Sequence, residues 1–253
     1  MVRDLYLFDR KLRVFVFEAL ENIEVAVKTQ LSNIMGSAFG PHWYLDKGLF
    51  LSEQERRQIQ RNSILDGGLP KAFDHTAFIR SIEEEMAHPS ELFLEQYKLS
   101  FEPLYPPTWM MIEVITFGTL SLLIENLKSG PEKTAIIDHF NLTKRQFVSW
   151  MHCFTFIRNK CAHHARLVYS KIKFSPSLPQ KQSRQFLAQA DEVENASLYA
   201  VLCCIQFMLR ICNVSSSFGR NVLMLTDLYS SIDYPRLGFT SNWRDESLWK
   251  LAA

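Results

Sequence analysis

One long apolar stripe constrains this chain more than any other feature. Leu12, Phe15, Val16, Ala19, Leu20, Ile23, Val27 and Leu31 recur at three- and four-residue steps, with Arg10, Arg13, Glu18, Glu21 and Lys28 mainly between them. That period predicts an amphipathic helix over about residues 4–35, stopped by Gly36 and Gly40. Such a stripe must be buried against other helices, because no segment of the chain shows the apolar–polar alternation of a strand.

The rest of the chain reads the same way. Ser52 with Glu55 and Thr143 with Gln146 have capping-box spacing and open helices. Asp66-Gly67-Gly68-Leu69-Pro70 is a breaker, followed by two shorter helices over about 76–87 and 90–98. Tyr105-Pro106-Pro107 leads into one helix over about 108–128, apolar nearly all round and therefore central. A short helix over about 131–140 precedes the Thr143 helix, which carries Phe147, Trp150, Met151, Phe154 and Ile157 on one side. Two more helices are expected over about 193–212 and 217–229. The last two dozen residues hold Pro, Gly and scattered aromatics without a period, so they should wrap over the helices as an irregular tail. The class is all-α: a helical bundle with inserted short helices, and 253 residues with 47% apolar content suit a single domain with a substantial core.

Bulk numbers narrow the function classes. A net charge of +1 gives no global basic field, so any nucleic-acid contact must come from a local patch. Cys153, Cys161, Cys203, Cys204 and Cys212 are odd in number and irregular in spacing, which fits reduced thiols and a cytoplasmic location better than a disulfide framework. The first turns carry charge and show no signal-peptide pattern. The longest apolar runs, Met110 to Ile124 and Leu198 to Cys212, are broken by Glu113 and Arg210 and fall short of the roughly 20 residues that a bilayer span needs.

The segment Arg158-Asn159-Lys160-Cys161-Ala162-His163-His164 carries the chemistry. RNA holds its own nucleophile, the 2′-hydroxyl. Cutting it requires a base for that proton, an acid for the leaving oxygen and a cation on the phosphate. Imidazoles, with an ordinary pKa of about 6.5, populate both protonation states near neutrality. A guanidinium stays charged and can fork onto two phosphate oxygens. Asn159 can hydrogen-bond a ring nitrogen or a phosphate oxygen. No metal or other cofactor is required. On a regular helix five residues turn about 500°, so Arg158 and His163 point about 140° apart, whereas Asn159, His163 and Arg166 share a face. A site in one chain then needs a helix irregularity or a long reach, while a two-fold dimer would bring two copies of the segment together. The spacing by itself fits a solvated helix end with cationic groups near its C-terminus better than it fits a site.

Other residues leave alternatives open. Glu24 is either a charge partner for Arg158 or an ordinary helix-face charge. Arg10 and Arg13 either contact phosphates or are solvated surface. Lys171 and Lys173, with Lys181 and Arg184, form either a local RNA-binding patch or a solvated loop. Trp43 and Trp150 could stack bases, but Trp150 sits on an apolar face and reads as core. Cys153, Cys161, His163 and His164 lack the paired spacing of a zinc set.

The stretch from Phe156 to Leu167 resembles the R-N-x-C-A-H-H-x-R-L signature of the Abi-like proteins, the AbiD/AbiF abortive-infection group of the HEPN superfamily. Leu5 to Arg13 is similar to that family's Y-x-F-D-R-x-L-R. Asn22 to Thr29 resembles its R-I-E-V-x-x-R-T, with Asn and Lys in place of Arg. Trp43-Tyr44-Leu45, Pro107 to Met110, Phe117 to Ser121, Leu237-Gly238-Phe239 and Trp243 also fit. The resemblance implies a HEPN-type helical fold, metal-independent endoribonuclease activity leaving a cyclic phosphate, and a toxin-like role in phage defence. It implies Arg158 and His163 as the catalytic pair, with Asn159 beside them and an RNA substrate. The residues themselves add His164 to that group and Arg166, Lys171, Lys173 and Glu24 as candidates for holding RNA, the spacing argument adds a second copy of the chain, and a toxin-like role would call for an antitoxin protein or non-coding RNA. A non-catalytic module that binds RNA or a partner protein is the alternative. Family members usually carry some tens of residues ahead of the first helix. The expectation is therefore either a segment upstream of residue 1 or a trimmed variant whose bare helix face favours dimerisation.

Overall fold

A computed structural model describes residues 2–62, 72–101, 105–179, 186–188, 190–213 and 215–250. Among these the chain is all-α, with ten α-helices, several single 3₁₀ turns and no strand. The helices are α1 (Val2–Phe39), α2 (Glu53–Asn62), α3 (His75–Ala87), α4 (Leu92–Phe101), α5 (Thr108–Val114), α6 (Phe117–Asn126), α7 (Pro131–Asp138), α8 (Lys144–Ala162), α9 (Leu198–Cys212) and α10 (Phe218–Leu228). None of them is long and apolar enough to cross a membrane. The chain forms two compact units, Met1–Ala26 with Phe140–Ala253 and Val27–His139.

The first unit is built on α9, whose residues from Leu198 to Leu209 are all buried. It begins at Ser197, whose hydroxyl accepts the Ala200 N–H at 3.1 Å, so it starts later than the apolar run at Val193 suggests. Helix α8 opens with the expected reciprocal box between Thr143 and Gln146. It buries Phe147, Trp150, Met151, Phe154, Ile157 and Cys161. Trp150 is core as its face implied: it meets Phe207 edge-on at 5.8 Å and donates its Nε1–H to the Ser177 carbonyl. Phe8, Leu12, Val16, Ala19, Leu20 and Ile23 of α1 supply the matching stripe.

The tail does wrap inward. Tyr199 lies 4.6 Å from Phe239 and accepts the Trp249 indole N–H, with Trp243 against both Phe239 and Trp249. Gly238 has φ +90°, and a Cβ there would sit 2.3 Å from the Ser197 Cβ, so no other residue fits.

The second unit centres on Trp43, Tyr44, Phe50, Phe73 and Phe78. Trp43 is 1% exposed and donates to Thr108 Oγ1 at 2.9 Å, so it packs and does not present a stacking face. Two expectations are corrected here. Gly36 does not stop α1. It lies inside the helix, where a Cβ would press on Thr108 at 3.2 Å, and Gly40, with φ +86°, marks the end. The segment 108–128 is not one helix. It breaks at Ile115-Thr116, because the Thr116 hydroxyl accepts the Thr119 N–H and starts α6 anew. Ser52 and Glu55 form their reciprocal box, and the buried Lys133 ammonium donates to the carbonyls of Glu125 and Leu127 at the end of α6. The breaker at 66–70 lies outside the described residues.

Candidate functional site

The motif sits at the C-terminal end of α8, where the backbone makes a closed turn. The helix stays regular to Ala162, and His163 caps it with its N–H on the Asn159 carbonyl at 3.0 Å. His164 then takes φ +55°. Its N–H donates to the Cys161 carbonyl at 3.1 Å, and that of Ala165 donates to Lys160 at 2.8 Å. This is the paired pattern that usually carries glycine at the left-handed position. A β-carbon there costs on the order of 1–2 kcal/mol, and such strain clusters at functional sites.

Asp9 on α1 holds the chain that follows. It is 5% exposed. Its Oδ1 accepts the backbone N–H groups of Leu167 and Val168, each at 2.8 Å, and Arg13 Nε donates to its Oδ2 at 3.0 Å. Arg13 is thereby taken out of both roles considered for it, phosphate contact and solvated surface; Arg10 remains exposed. Asp9 has a place in the F-D-R match at Phe8-Asp9-Arg10, but sequence reading assigns it no role. The available signal was an acid and an arginine four residues apart on a helix face otherwise apolar at Phe8, Leu12 and Val16.

The named site residues divide into two environments. Arg158 is half-buried and turns toward α1, with its guanidinium 5.5 Å from the Phe17 ring centre. Its Nε is sealed from solvent and has no hydrogen-bond partner among the described residues. Such a group is unusual in a native fold and calls for a reason. Asn159, His163, His164 and Arg166 are exposed. No hydrogen bond or ion pair joins Arg158 to His163 among the described residues, in keeping with the 140° divergence of a regular helix. Glu24 is half-buried on α1, seven residues beyond Phe17 and so two turns along the same face.

Lys160 is half-buried, donates to Ser170 Oγ at 2.7 Å and lies 5.5 Å from the Phe156 ring. Burial, opposed in part by Asp9, holds its pKa below the ordinary value. Lys171 and Lys173 are exposed, while Lys181 and Arg184 lie outside the described residues. All five cysteines are free thiols, four of them buried, and burial pushes Cys153 and Cys161 up to about 12. Among the described residues no three side chains of the His, Cys, Asp or Glu type group to hold a metal.

Chemically, the helix end offers one fixed cation set into an apolar wall and, beside it, an exposed amide and two exposed imidazoles on a backbone pinned by Asp9. A family model described as Abi-like protein matches residues 1–169, from α1 through the pinned segment after His164. No curated protein and no solved structure matches the chain.

Proposed function

The chain belongs to the Abi-like protein family, and from that membership we propose that it is an endoribonuclease of the HEPN kind acting in abortive infection, a form of phage defence. In this reading the 2′-oxygen of a ribose attacks the adjacent phosphorus and the bond to the 5′-oxygen breaks. A cyclic phosphate and a 5′-hydroxyl result. His163 takes the 2′-hydroxyl proton or returns one to the leaving oxygen, with His164 and Asn159 beside it. Arg158 balances the charge that grows on the phosphate. The nucleophile comes from the substrate, so the step needs no metal.

The observation that supports the reading is the half-buried Arg158 guanidinium one residue ahead of the exposed Asn159–His163 edge, at a helix end whose following segment of chain Asp9 pins. The Arg158 Nε is closed to solvent, so the reading has the guanidinium turn outward to meet a phosphate oxygen. Because Arg158 and His163 diverge, the reading pairs two copies of the single 253-residue domain about a two-fold axis, each lending an arginine and a histidine to one cleft. Restraint of the toxin falls to an antitoxin protein or non-coding RNA, in the cytoplasm.

The test is cleavage of RNA by the purified full chain with a chelator present, scored by product ends. Arg158→Ala and His163→Ala should each lower the rate by about 10²–10⁴-fold while helical content stays unchanged. Cutting that survives His163→Ala overturns the assignment. RNA bound but never cut makes the chain a non-catalytic binding module.

A further inference from the structure

His152, Phe156 and Lys160 lie on the same face of α8 as His163 and have no part in the cleavage above. His152, Phe156, Asn159, Lys160 and His163 recur at three- and four-residue steps and share a face of the helix. Of these, His152, Phe156 and Lys160 are partly exposed. The segment after the motif returns onto the same face. The Phe174 ring, itself partly exposed, lies 6.4 Å from His152 and 5.8 Å from Phe156, edge-on to both. Two ammonium groups ride on these rings: Lys160 Nζ at 5.5 Å from Phe156 and Lys173 Nζ at 5.4 Å from Phe174.

Charge points the same way. From Phe140 to Ala190 the chain has no aspartate or glutamate but nine lysines and arginines, although the whole molecule carries only +1. The overall balance thus conceals a basic stretch of sequence, and two of its lysines, Lys160 and Lys173, lie on the aromatic face. An acidic peptide would satisfy the lysines and leave the rings idle. A duplex would offer phosphates but keep its base faces stacked away. Unpaired nucleotides supply both halves, flat rings for Phe156 and Phe174 and phosphates for Lys160 and Lys173.

We propose that the His152–Phe156–Phe174 face is a base-stacking site for single-stranded RNA that leads the strand along α8 to His163. Phe156 and His163 are seven residues apart, about 10 Å along the helix, so stacked bases reach the reactive edge within a few nucleotides. The choice of RNA over DNA rests on the ribonuclease reading, but the stacking site itself does not depend on catalysis.

Fluorescence anisotropy of the full-length chain carrying His163→Ala tests this, with a short labelled single-stranded RNA of mixed sequence, its blunt duplex and polyglutamate as probes. The single strand should bind more tightly than either other probe. Phe174→Ala should weaken it by about 5- to 100-fold, and Phe174→Tyr should stay near the parent. Lys173→Ala, at an exposed position, should lower the slope of log affinity against log salt by about 0.7. Should Phe174→Ala lose its helical circular dichroism, that slope decides. Duplex or polyglutamate bound as tightly as the single strand, or affinity indifferent to Phe174 and Lys173, overturns the site. The two readings fail separately. Phe174-dependent binding by a wild-type chain that never cuts removes the nuclease and keeps the site. Cutting indifferent to Phe174 and Lys173 does the reverse.

Discussion

Replacing Asp9 with alanine should damage this protein far more than its place on a helix face suggests. The carboxylate is 5% exposed and accepts three donors: the amides of Leu167 and Val168 at 2.8 Å and Arg13 Nε at 3.0 Å. Leu167 and Val168 are 2% and 0% exposed, so water cannot replace the lost acceptor. Each orphaned amide costs about 1–3 kcal/mol, and breaking a shielded charge pair adds to that. The expected loss is about 3–5 kcal/mol, a large share of the 5–15 kcal/mol typical of a native domain. Asp9→Asn retains an oxygen for both amides but puts an N–H where Oδ2 accepted from Arg13 Nε, so it loses that hydrogen bond and its charge and should cost about 1–3 kcal/mol, less than Asp9→Ala. Urea unfolding followed by far-ultraviolet circular dichroism measures both. An Asp9→Ala loss under about 0.5 kcal/mol, or an Asp9→Asn variant as weak as Asp9→Ala, would refute the latch.

Two further expectations follow from the same region. His164→Gly removes a β-carbon at φ +55°; it should raise thermal stability by up to about 1 kcal/mol while lowering RNA cleavage, and a variant both less stable and fully active contradicts this. Cys153 and Cys161 hold their protons to about 12 in the fold, against about 9 for an ordinary thiol. The unfolded chain therefore binds fewer protons between those values. These groups leave stability untouched below about pH 9 and erode it as pH rises toward 12. In native protein at pH 8, Cys153 and Cys161 should accordingly resist a thiol reagent that titrates every cysteine after denaturation, and rapid labelling of Cys153 would show the burial to be wrong.

Much of the fold was legible because local signals agreed with it. The stripe from Leu12 to Leu31 has one phase, the Thr143–Gln146 box has the right spacing, and the aperiodic aromatic tail had nowhere to go but onto the helices. The break at Thr116 was not legible, since a segment apolar on every side has no phase to lose when its axis changes. Gly36 read as a stop because its reason for being glycine, the nearby Thr108 methyl, lies far along the chain. The motif at the end of α8 was visible as chemistry. Its support was not: Asp9 stood in the F-D-R match, but it meets Leu167 across 158 residues, and only the packed helices show what its carboxylate holds.

Cleavage of an RNA carrying a single 2′-deoxynucleotide at the mapped cut position tests the central claim most directly. The reaction should stop at that linkage, with neighbouring linkages still cut, each upstream fragment ending in a cyclic phosphate and each downstream fragment beginning with a 5′-hydroxyl. Undiminished cleavage at the deoxy position, or a product bearing a 5′-phosphate, would mean that the attacking oxygen is not the substrate's own and that Arg158 and His163 do not do the chemistry assigned to them.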